Sequence, residues 1–534
     1  MLGKYFPIIV WVIFCIASAQ AQQGVDGNQA FKVRSFRLTG FNSPQIEPIE
    51  SAFQSSLAGR TLTKSDLVNI EREVTSKLRS QGYLIGQAVL TPDDRSKLIK
   101  SGELQLTIFP GRVSAIEIQN TSNVNSDWVY EVAKDTLCPQ GFGNNCVLTK
   151  ENFERMTQLL GDTAGLQLGT VDFNPDGAPL GQTNITILAL PKDSQFKGSI
   201  GVDNQGFNSS GKYRLGVTGI ANNLFGVGDS VAINLFDTNK GSVSGSVDVS
   251  GPLASNGLRW QSSVSRSQYY VPGVSSTGFG NSLSAGLAYP LVRSLDVNWI
   301  AALNAVGVVT NSQVIGITTT DKTLKSVQAV LDGNSGDRSI NLGQNAWYMH
   351  SALSSGSVSD HVAQTNEPLG PYTKLALSGI AKTVLNDERN IYSILNVRGQ
   401  VANTNLDPYE KLLVGGYSGV RAYSLEEGSF NNGAIATLEL RQAFNTEWGR
   451  LTPGIFVDYA NGWINHATYS GWNNNTGYTN HQVLADYGIG IDWSDVQGFV
   501  VSLSWANRFG SSPPAIAGTG SANSQFWFVV QSRF

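Results

Sequence analysis

Raw material for catalysis is scarce in this chain. Its four histidines, His350, His361, His466 and His481, are scattered without metal-ligand spacing. No Gly-x-Ser-x-Gly elbow and no phosphate-binding Gly-x4-Gly-Lys-Ser/Thr loop occurs. Charged residues make up only 15% of the chain and the net charge is -4. No basic excess asks for nucleic acid, and no long acidic run suggests a disordered tail. After Gln22 no apolar run approaches the roughly 20 residues that a spanning helix needs. These absences argue against an enzyme, a bound metal or cofactor, a nucleic-acid partner and a helical membrane protein. What is abundant is glycine, at 57 residues, together with 10% aromatics. That balance suits a β-rich protein with many turns, and 534 residues suffice for two or three folded units.

The first 21 residues read as a signal peptide. Lys4 is the only charge, Tyr5 to Ala17 form a short apolar core, and Ala19-Gln20-Ala21 is a small-x-small cleavage site, so the mature chain starts at Gln22. The core is too short for a membrane anchor. Cys15 lacks the Leu-Ala-Gly run of a lipoprotein. Export leaves two cysteines, Cys138 and Cys146, flanking a polar loop. An oxidising compartment favours a disulfide between them; the alternative is two free thiols.

Residues 31 to 192 mix helix and strand. Thr63 and Asp66 form a helix start, after which Leu67, Ile70, Val74 and Leu78 share one face and Gly82 is a stop. Val33–Leu38, Tyr83–Leu90 and Glu103–Phe109 read as strands. The pattern then recurs. Leu62-Thr63-Lys64 returns as Leu148-Thr149-Lys150, and Gly82-Tyr83-Leu84-Ile85-Gly86 as Gly165-Leu166-Gln167-Leu168-Gly169. Strands at Val113–Gln119 and Thr183–Ala189 complete the second copy. The spacing predicts two strand–helix–helix–strand–strand units of about 80 residues, 31–110 and 111–192, each a small α+β domain.

From residue 195 helical periodicity vanishes. Segments of about 10 residues alternate apolar and polar between Gly, Asn, Asp and Ser turns. Val231, Ile233 and Leu235 share a face, as do Ala436, Leu438 and Leu440, with Thr437, Glu439 and Arg441 opposite. Tyr487, Ile489, Ile491 and Trp493 oppose Asp486, Gly488, Gly490 and Asp492. A soluble sandwich also alternates. Polar faces rich in Gly, Ser and charge suit a hydrated lumen instead, and aromatics near strand ends (Tyr289, Trp299, Trp347, Tyr372, Tyr392, Trp463 and Trp505) suit interfacial girdles. Open edges are prohibitive in lipid, so residues 195–534 are expected to close into a barrel of about 16 antiparallel strands.

The longest apparent loop, 405–432, carries Val414-Gly415-Gly416-Tyr417-Ser418-Gly419-Val420-Arg421-Ala422-Tyr423. Downstream, alternation puts Phe456 and Asp458 on the lumen side and Ile455, Val457 and Tyr459 toward lipid. Arg421 and Asp458 can meet only if the loop folds into the pore. On spacing alone, a solvated external loop remains equally open.

At these residues the chain resembles the transporters of two-partner secretion, the haemolysin secretion/activation proteins (ShlB, FhaC, HecB) of the BamA superfamily. Val420-Arg421-Ala422-Tyr423 is similar to the family's Val-Arg-Gly-Tyr/Phe motif at the tip of its sixth extracellular loop. Phe456-x-Asp458 with Gly462 is similar to its Phe-x-Asp-x-Gly motif on strand 13. Asn222–Asp229, Tyr289-Pro290-Leu291 and the terminal Phe534, an insertion signal, also match. The resemblance covers nearly the whole mature chain. It implies two periplasmic POTRA domains and a 16-stranded outer-membrane barrel in a Gram-negative bacterium. It implies an Arg421–Asp458 pair inside the pore; the strand alternation itself offers Glu439, Arg441, Asp486 and Asp492 as further lumen charges. The implied partners are a secreted exoprotein (adhesin, cytolysin or haem-acquisition type), membrane lipid, and the barrel assembly machinery that inserts the chain. An assembly factor like BamA or TamA and a passive solute porin are the competing readings. Ala422 replaces the motif glycine, Gly462 comes two residues late, and Ser532 stands where an apolar residue is usual. About ten residues, 22–31, precede the first POTRA strand, too few for a plug helix, so loop 405–432 is expected to be the main occlusion.

Overall fold

The computed structural model describes residues 30–192, 194–362, 368–469, 472, 479–510 and 523–534. The expected signal peptide, Cys15 and the segment from Gln22 to residue 29 lie outside them. Two compact units meet at residues 192 and 193 in the sequence.

The first unit holds two similar modules. In the first, β1 (Ser35–Thr39), α1 (Glu47–Leu57), α2 (Lys64–Ser80), β2 (Gln87–Val89), α3 (Pro92–Ser101) and β3 (Glu103–Phe109) follow in order. The sheet order is β1-β3-β2, with β1 parallel and β2 antiparallel to β3. α2 starts where Thr63 and Asp66 form a capping box: the Asp66 carboxylate accepts from Thr63 N at 2.7 Å, and Thr63 Oγ1 from Asp66 N at 3.3 Å. Its apolar face, Leu67, Ile70, Val74 and Leu78, is buried. Thr63 also orders the Asp66 carboxylate electrically: hydrogen bonds from the Thr63 backbone and side chain hold its pKa below the usual value.

Two expectations change here. Tyr83 to Gly86 is a turn rather than strand, closed by Gly86 N donating to Tyr83 O at 3.0 Å. Gly86 makes this possible, because an added Cβ would stand 2.8 Å from that of Tyr83. The second change is α3, a helix that the strand–helix–helix–strand–strand pattern does not contain. Its start repeats the α2 solution: Thr91 and Asp94 form a capping box, with proline in the first turn and Gly102 at φ 74° ending the helix. Asp94 is buried and also accepts from Thr107 Oγ1 at 2.8 Å, which fastens the helix to β3. Asp94→Ala is expected to destabilise this module by about 1–2 kcal/mol, the usual cost of losing a cap. Limited proteolysis of the full chain should then cut first near residues 91–102; wild-type resistance would contradict this account.

The second module runs β4 (Arg112–Asn120), α4 (Ser126–Leu137), α5 (Lys150–Asp162), β5 (Leu166–Asn174) and β6 (Gln182–Pro191), with sheet order β4-β6-β5. Thr149 caps α5 through Asn152 N at 3.2 Å, as its sequence counterpart Thr63 caps α2. A disulfide joins Cys138 to Cys146, both in the core of this module. It ties the end of α4 to a loop whose Cys146 O accepts from Val113 N at 3.0 Å.

The second unit is a closed barrel of sixteen antiparallel strands. They are β7 (Phe196–Asp203), β8 (Arg214–Asn222), β9 (Ser230–Thr238), β10 (Val243–Pro252), β11 (Arg259–Val271), β12 (Ser276–Arg293), β13 (Asn298–Val314), β14 (Ile317–Asn334), β15 (Ala346–Asp360), β16 (Gly370–Val384), β17 (Ile391–Ala402), β18, β19 (Gly449–Trp463), β20 (His481–Ser494), β21 (Phe499–Arg508) and β22 (Ser524–Arg533). The β18 strand comprises Asn432–Gln442 and, past a break at Ala443, Phe444–Thr446, both paired with β19. Pairing of β22 with β7 closes the ring, and the terminal Phe534 extends it by exchanging two backbone bonds of 2.9 Å with Gly198.

Alternation sorts side chains as a lipid-facing barrel requires. Leu283, Leu303, Leu438, Ile455 and Ile489 are each more than half exposed, whereas Asp458 and Asp486, one residue out of phase, are fully buried. Trp347, Trp463 and Trp505 stand outside, with the Trp299 ring 5.7 Å from that of Trp347. Tyr372 and Tyr392 do not join this girdle. Tyr372 is two residues from the inward Lys374 and packs with Leu324, Val358 and Leu406. Tyr392 lies opposite the inward Arg441, under the Lys382 ammonium at 4.7 Å. Both tyrosines are on the inner phase of their strands.

Candidate functional site

The segment between β17 and β18 turns into the barrel. Its glycines allow a knot too tight for side chains. Val420 N donates to Val414 O at 2.8 Å, and Gly419 N to Gly416 O at 2.9 Å. A Cβ on Gly415 or Gly419 would lie 2.0 Å from a carbonyl oxygen, of Ser424 or Val414 respectively, and Gly416 sits at φ 90°. This knot carries Val420-Arg421-Ala422-Tyr423 at its tip. All four residues are buried, three of them in one apolar cluster with Phe456, Ala460, Leu484 and Ala506 of the wall.

Arg421 makes a bidentate pair with Asp458: Nε to Oδ2 at 2.8 Å and Nη2 to Oδ1 at 2.9 Å. Its backbone N adds a third bond to Asp458 Oδ2 at 3.1 Å. The remaining guanidinium nitrogen meets Glu439 Oε1 at 2.9 Å, and the group lies over the Phe456 ring. The Arg421 carbonyl accepts from Trp527 Nε1 at 2.7 Å. Each side of this residue is therefore engaged by a different wall strand: β18, β19 or β22.

The sequence-derived lumen residues fall into the same network. Glu439 bridges Arg421 and Arg441, and Arg441 in turn pairs with Asp492. Asp486, register partner of Asp458, accepts from Ala422 N. The backbone at Ala422 is not left-handed, so its methyl group is accommodated where the related motif has glycine. Gly462 lies opposite Gly433, and a Cβ there would meet the Phe430 ring at 2.5 Å. The late glycine thus makes room for the returning limb of the loop, not for its tip. Phe534 and the Cys138–Cys146 disulfide lie outside this network.

Sequence reasoning missed Arg508, Trp527, Glu427 and Phe430. Arg508 donates to Ala422 O at 3.3 Å, stacks 4.1 Å from the Tyr423 ring, and faces Glu427 at 3.7 Å. Its signal was available: Arg508 continues the inward phase of Ser504 and Ala506 on β21. Among the described residues no group of His, Cys, Asp or Glu is placed to hold a metal ion. Chemically, the arrangement is a fastening. It offers a shielded ion-pair network with fixed donors, and holds a loop across the pore.

The sequence and the fold are similar to those of known proteins. The profile of the haemolysin secretion/activation protein family ShlB/FhaC/HecB matches residues 181–491, and that of the ShlB-type POTRA domain matches residues 31–111. The heme/hemopexin transporter protein HuxB of Haemophilus influenzae is 22% identical over 97% of this chain and 89% of its own length. The outer membrane transporter CdiB of Dickeya dadantii is 23% identical over 73% of this chain and 69% of its own. The structure of CdiB from Escherichia coli superposes with a TM-score of 0.73 at 18% identity, covering 97% of this chain and 93% of that one. The chain belongs to the haemolysin secretion/activation family ShlB/FhaC/HecB, the outer-membrane β-barrel transporters of two-partner secretion with periplasmic POTRA domains.

Proposed function

We propose that this transporter takes an unfolded exoprotein from the periplasm and passes it through its barrel, with Arg421 and Asp458 holding the pore loop in its transport-competent form. The observation that carries this reading is the loop tip tied by a bidentate ion pair inside the lumen. Residues 31–110 and 111–192 serve as two POTRA domains. Each three-stranded sheet has edge strands (β1 and β2, then β4 and β5) that can add an extended segment of the partner by backbone pairing. No nucleotide is needed: folding of the partner outside prevents its return. The relatives' names point to a haem-acquisition exoprotein as one partner class; adhesins and cytolysins are others. Phe534 acts as the insertion signal read by the barrel assembly machinery, and residues 1–21 direct export.

A barrel-assembly role fits less well, because assembly factors carry three or five POTRA domains. A passive porin has no need of POTRA repeats or of the Arg421–Asp458 pair. Deletion of the gene separates the readings. A single large exoprotein should disappear from the cell surface while the remaining outer-membrane proteins keep their abundance. A general fall in outer-membrane barrels would support assembly instead and defeat the secretion reading.

A further inference from the structure

The pore loop has a second fastening, on a different stretch of the barrel wall from the first. Its tip is held by strands β18 to β22 through the ion pairs and hydrogen bonds described above, and Arg398 of β17 also donates to Ser418 O. Its root, residues 406–410, is held by β14 and β16. Lys322 Nζ of β14 meets Asp407 Oδ2 at 2.8 Å, with both side chains only 8% exposed. Lys374 Nζ of β16 pairs with the Glu410 carboxylate and donates to Glu410 O at 2.9 Å. Between these pairs Leu406 is buried among Val308, Leu324, Val358 and Tyr372. The latter four make an apolar dimple beside polar inward residues such as Asn304, Ser326, Gln328 and Ser354.

The root segment is itself shaped for this contact. Asp407 caps the short turn Pro408–Glu410 with one oxygen, accepting from Tyr409 N at 2.9 Å, and meets Lys322 with the other. The neck behind it is closed by the buried Asn431, whose side chain accepts from Leu406 N at 2.6 Å and donates to Thr404 O at 3.0 Å. The root and the tip are thus separate attachments of one loop to two stretches of the wall.

Tyr409, Glu410 and Lys374 also border a cavity of about 630 Å³ lined by hydroxyl and amide side chains such as Ser263, Ser284 and Asn304. β17 ends, and the loop begins, at the barrel end opposite the one where β7 starts. On β16, Lys374 lies near that same end, whereas Ser230, on the cavity wall, begins β9 at the other. Tyr409 and Glu410, at the end of the root segment, therefore bound this cavity on the loop side.

We propose that this root clamp, Leu406 with the Lys322–Asp407 and Lys374–Glu410 pairs, is the gate of the pore, and that it opens while the tip stays fastened. Release of residues 406–410 joins the hydroxyl-lined cavity to the exterior and leaves Arg421 on Asp458. The inference rests on the transporter reading, but its test does not need the exoprotein.

The full-length protein is reconstituted in planar bilayers and its open probability recorded. Lys322→Ala/Lys374→Ala should raise the fraction of time open on the order of tenfold or more, because each variant removes the partner of a buried carboxylate. Exchange of one pair, Lys322→Asp with Asp407→Lys, should return the open fraction toward wild type, which a merely space-filling role would not do. Heat-modifiable mobility on gels confirms that each barrel is folded. Wild-type gating in the double alanine variant, or an exchange variant as open as that double variant, overturns the clamp. Either result leaves secretion, and its dependence on Arg421, untouched as a separate question.

Discussion

Arg421→Ala is expected to abolish exoprotein secretion while the barrel remains inserted, and Asp458→Ala to do the same. The variants remove different halves of one device. Without the guanidinium, Asp458, Asp486 and Glu439 face one another across a buried space, while Arg441 is already shared by Glu439 and Asp492 and Arg508 already faces Glu427. Without Asp458, Arg421 keeps Glu439 at 2.9 Å but loses both arms of its fork and the acceptor for its own backbone N. Loss of one member of a buried pair costs about 3–5 kcal/mol. That penalty falls on the fastened state of the loop and not on the strand ladder, so it shifts the loop equilibrium by roughly a hundredfold to several thousandfold while the barrel persists. Arg421→Lys should also fail largely, because a single ammonium cannot replace a planar fork bonded to two oxygens. Immunoblots of surface exoprotein, beside heat-modifiable mobility of the transporter, read both quantities. Normal secretion by Arg421→Ala and Asp458→Ala would remove the loop network from the mechanism.

The tip of this network was legible because each of its residues breaks a local rule. An arginine in a glycine-rich loop, and an aspartate on the inward phase of an otherwise oily strand, are conspicuous separately. Their pairing, across 37 residues, followed from the resemblance and not from spacing. Barrel strands could be read because the alternation has period two and lipid punishes exceptions. Tyr372 and Tyr392 were misplaced because aromatic character near a strand end was allowed to outweigh strand phase. The helix α3 was missed although its Thr91–Asp94 box repeats that of Thr63–Asp66. Its first turn, with proline and two aspartates, resembles a polar connection, and only Leu98 of its side chains fills an apolar core position. The root clamp had no sequence signal at all. Lys322 and Asp407 are 85 residues apart, and only closure of the barrel makes β14 and the β17–β18 loop neighbours.

Ile489→Arg is expected to prevent much of the protein from reaching the folded, inserted state, whereas Ser284→Arg should leave stability nearly unchanged. Both sites lie well inside their strands, in β20 and β12. They differ in phase: Ile489 is 58% exposed on the outer face, and Ser284 lines the inner cavity. An arginine at mid-depth on the lipid face costs about 2–4 kcal/mol, while one in a hydrated lumen keeps its water. Unfolding in urea from lipid vesicles measures the difference directly, and the fraction of heat-modifiable protein in cells reports it independently. Because register partners share a face, the same contrast should hold for Leu283→Arg against Ser265→Arg on neighbouring strands. Equal effects at inward and outward sites would mean that both faces meet the same solvent. A closed sheet with apolar side chains outside and ion pairs within makes sense only if the two faces do not, since in water each of those outward leucines and isoleucines would be better buried.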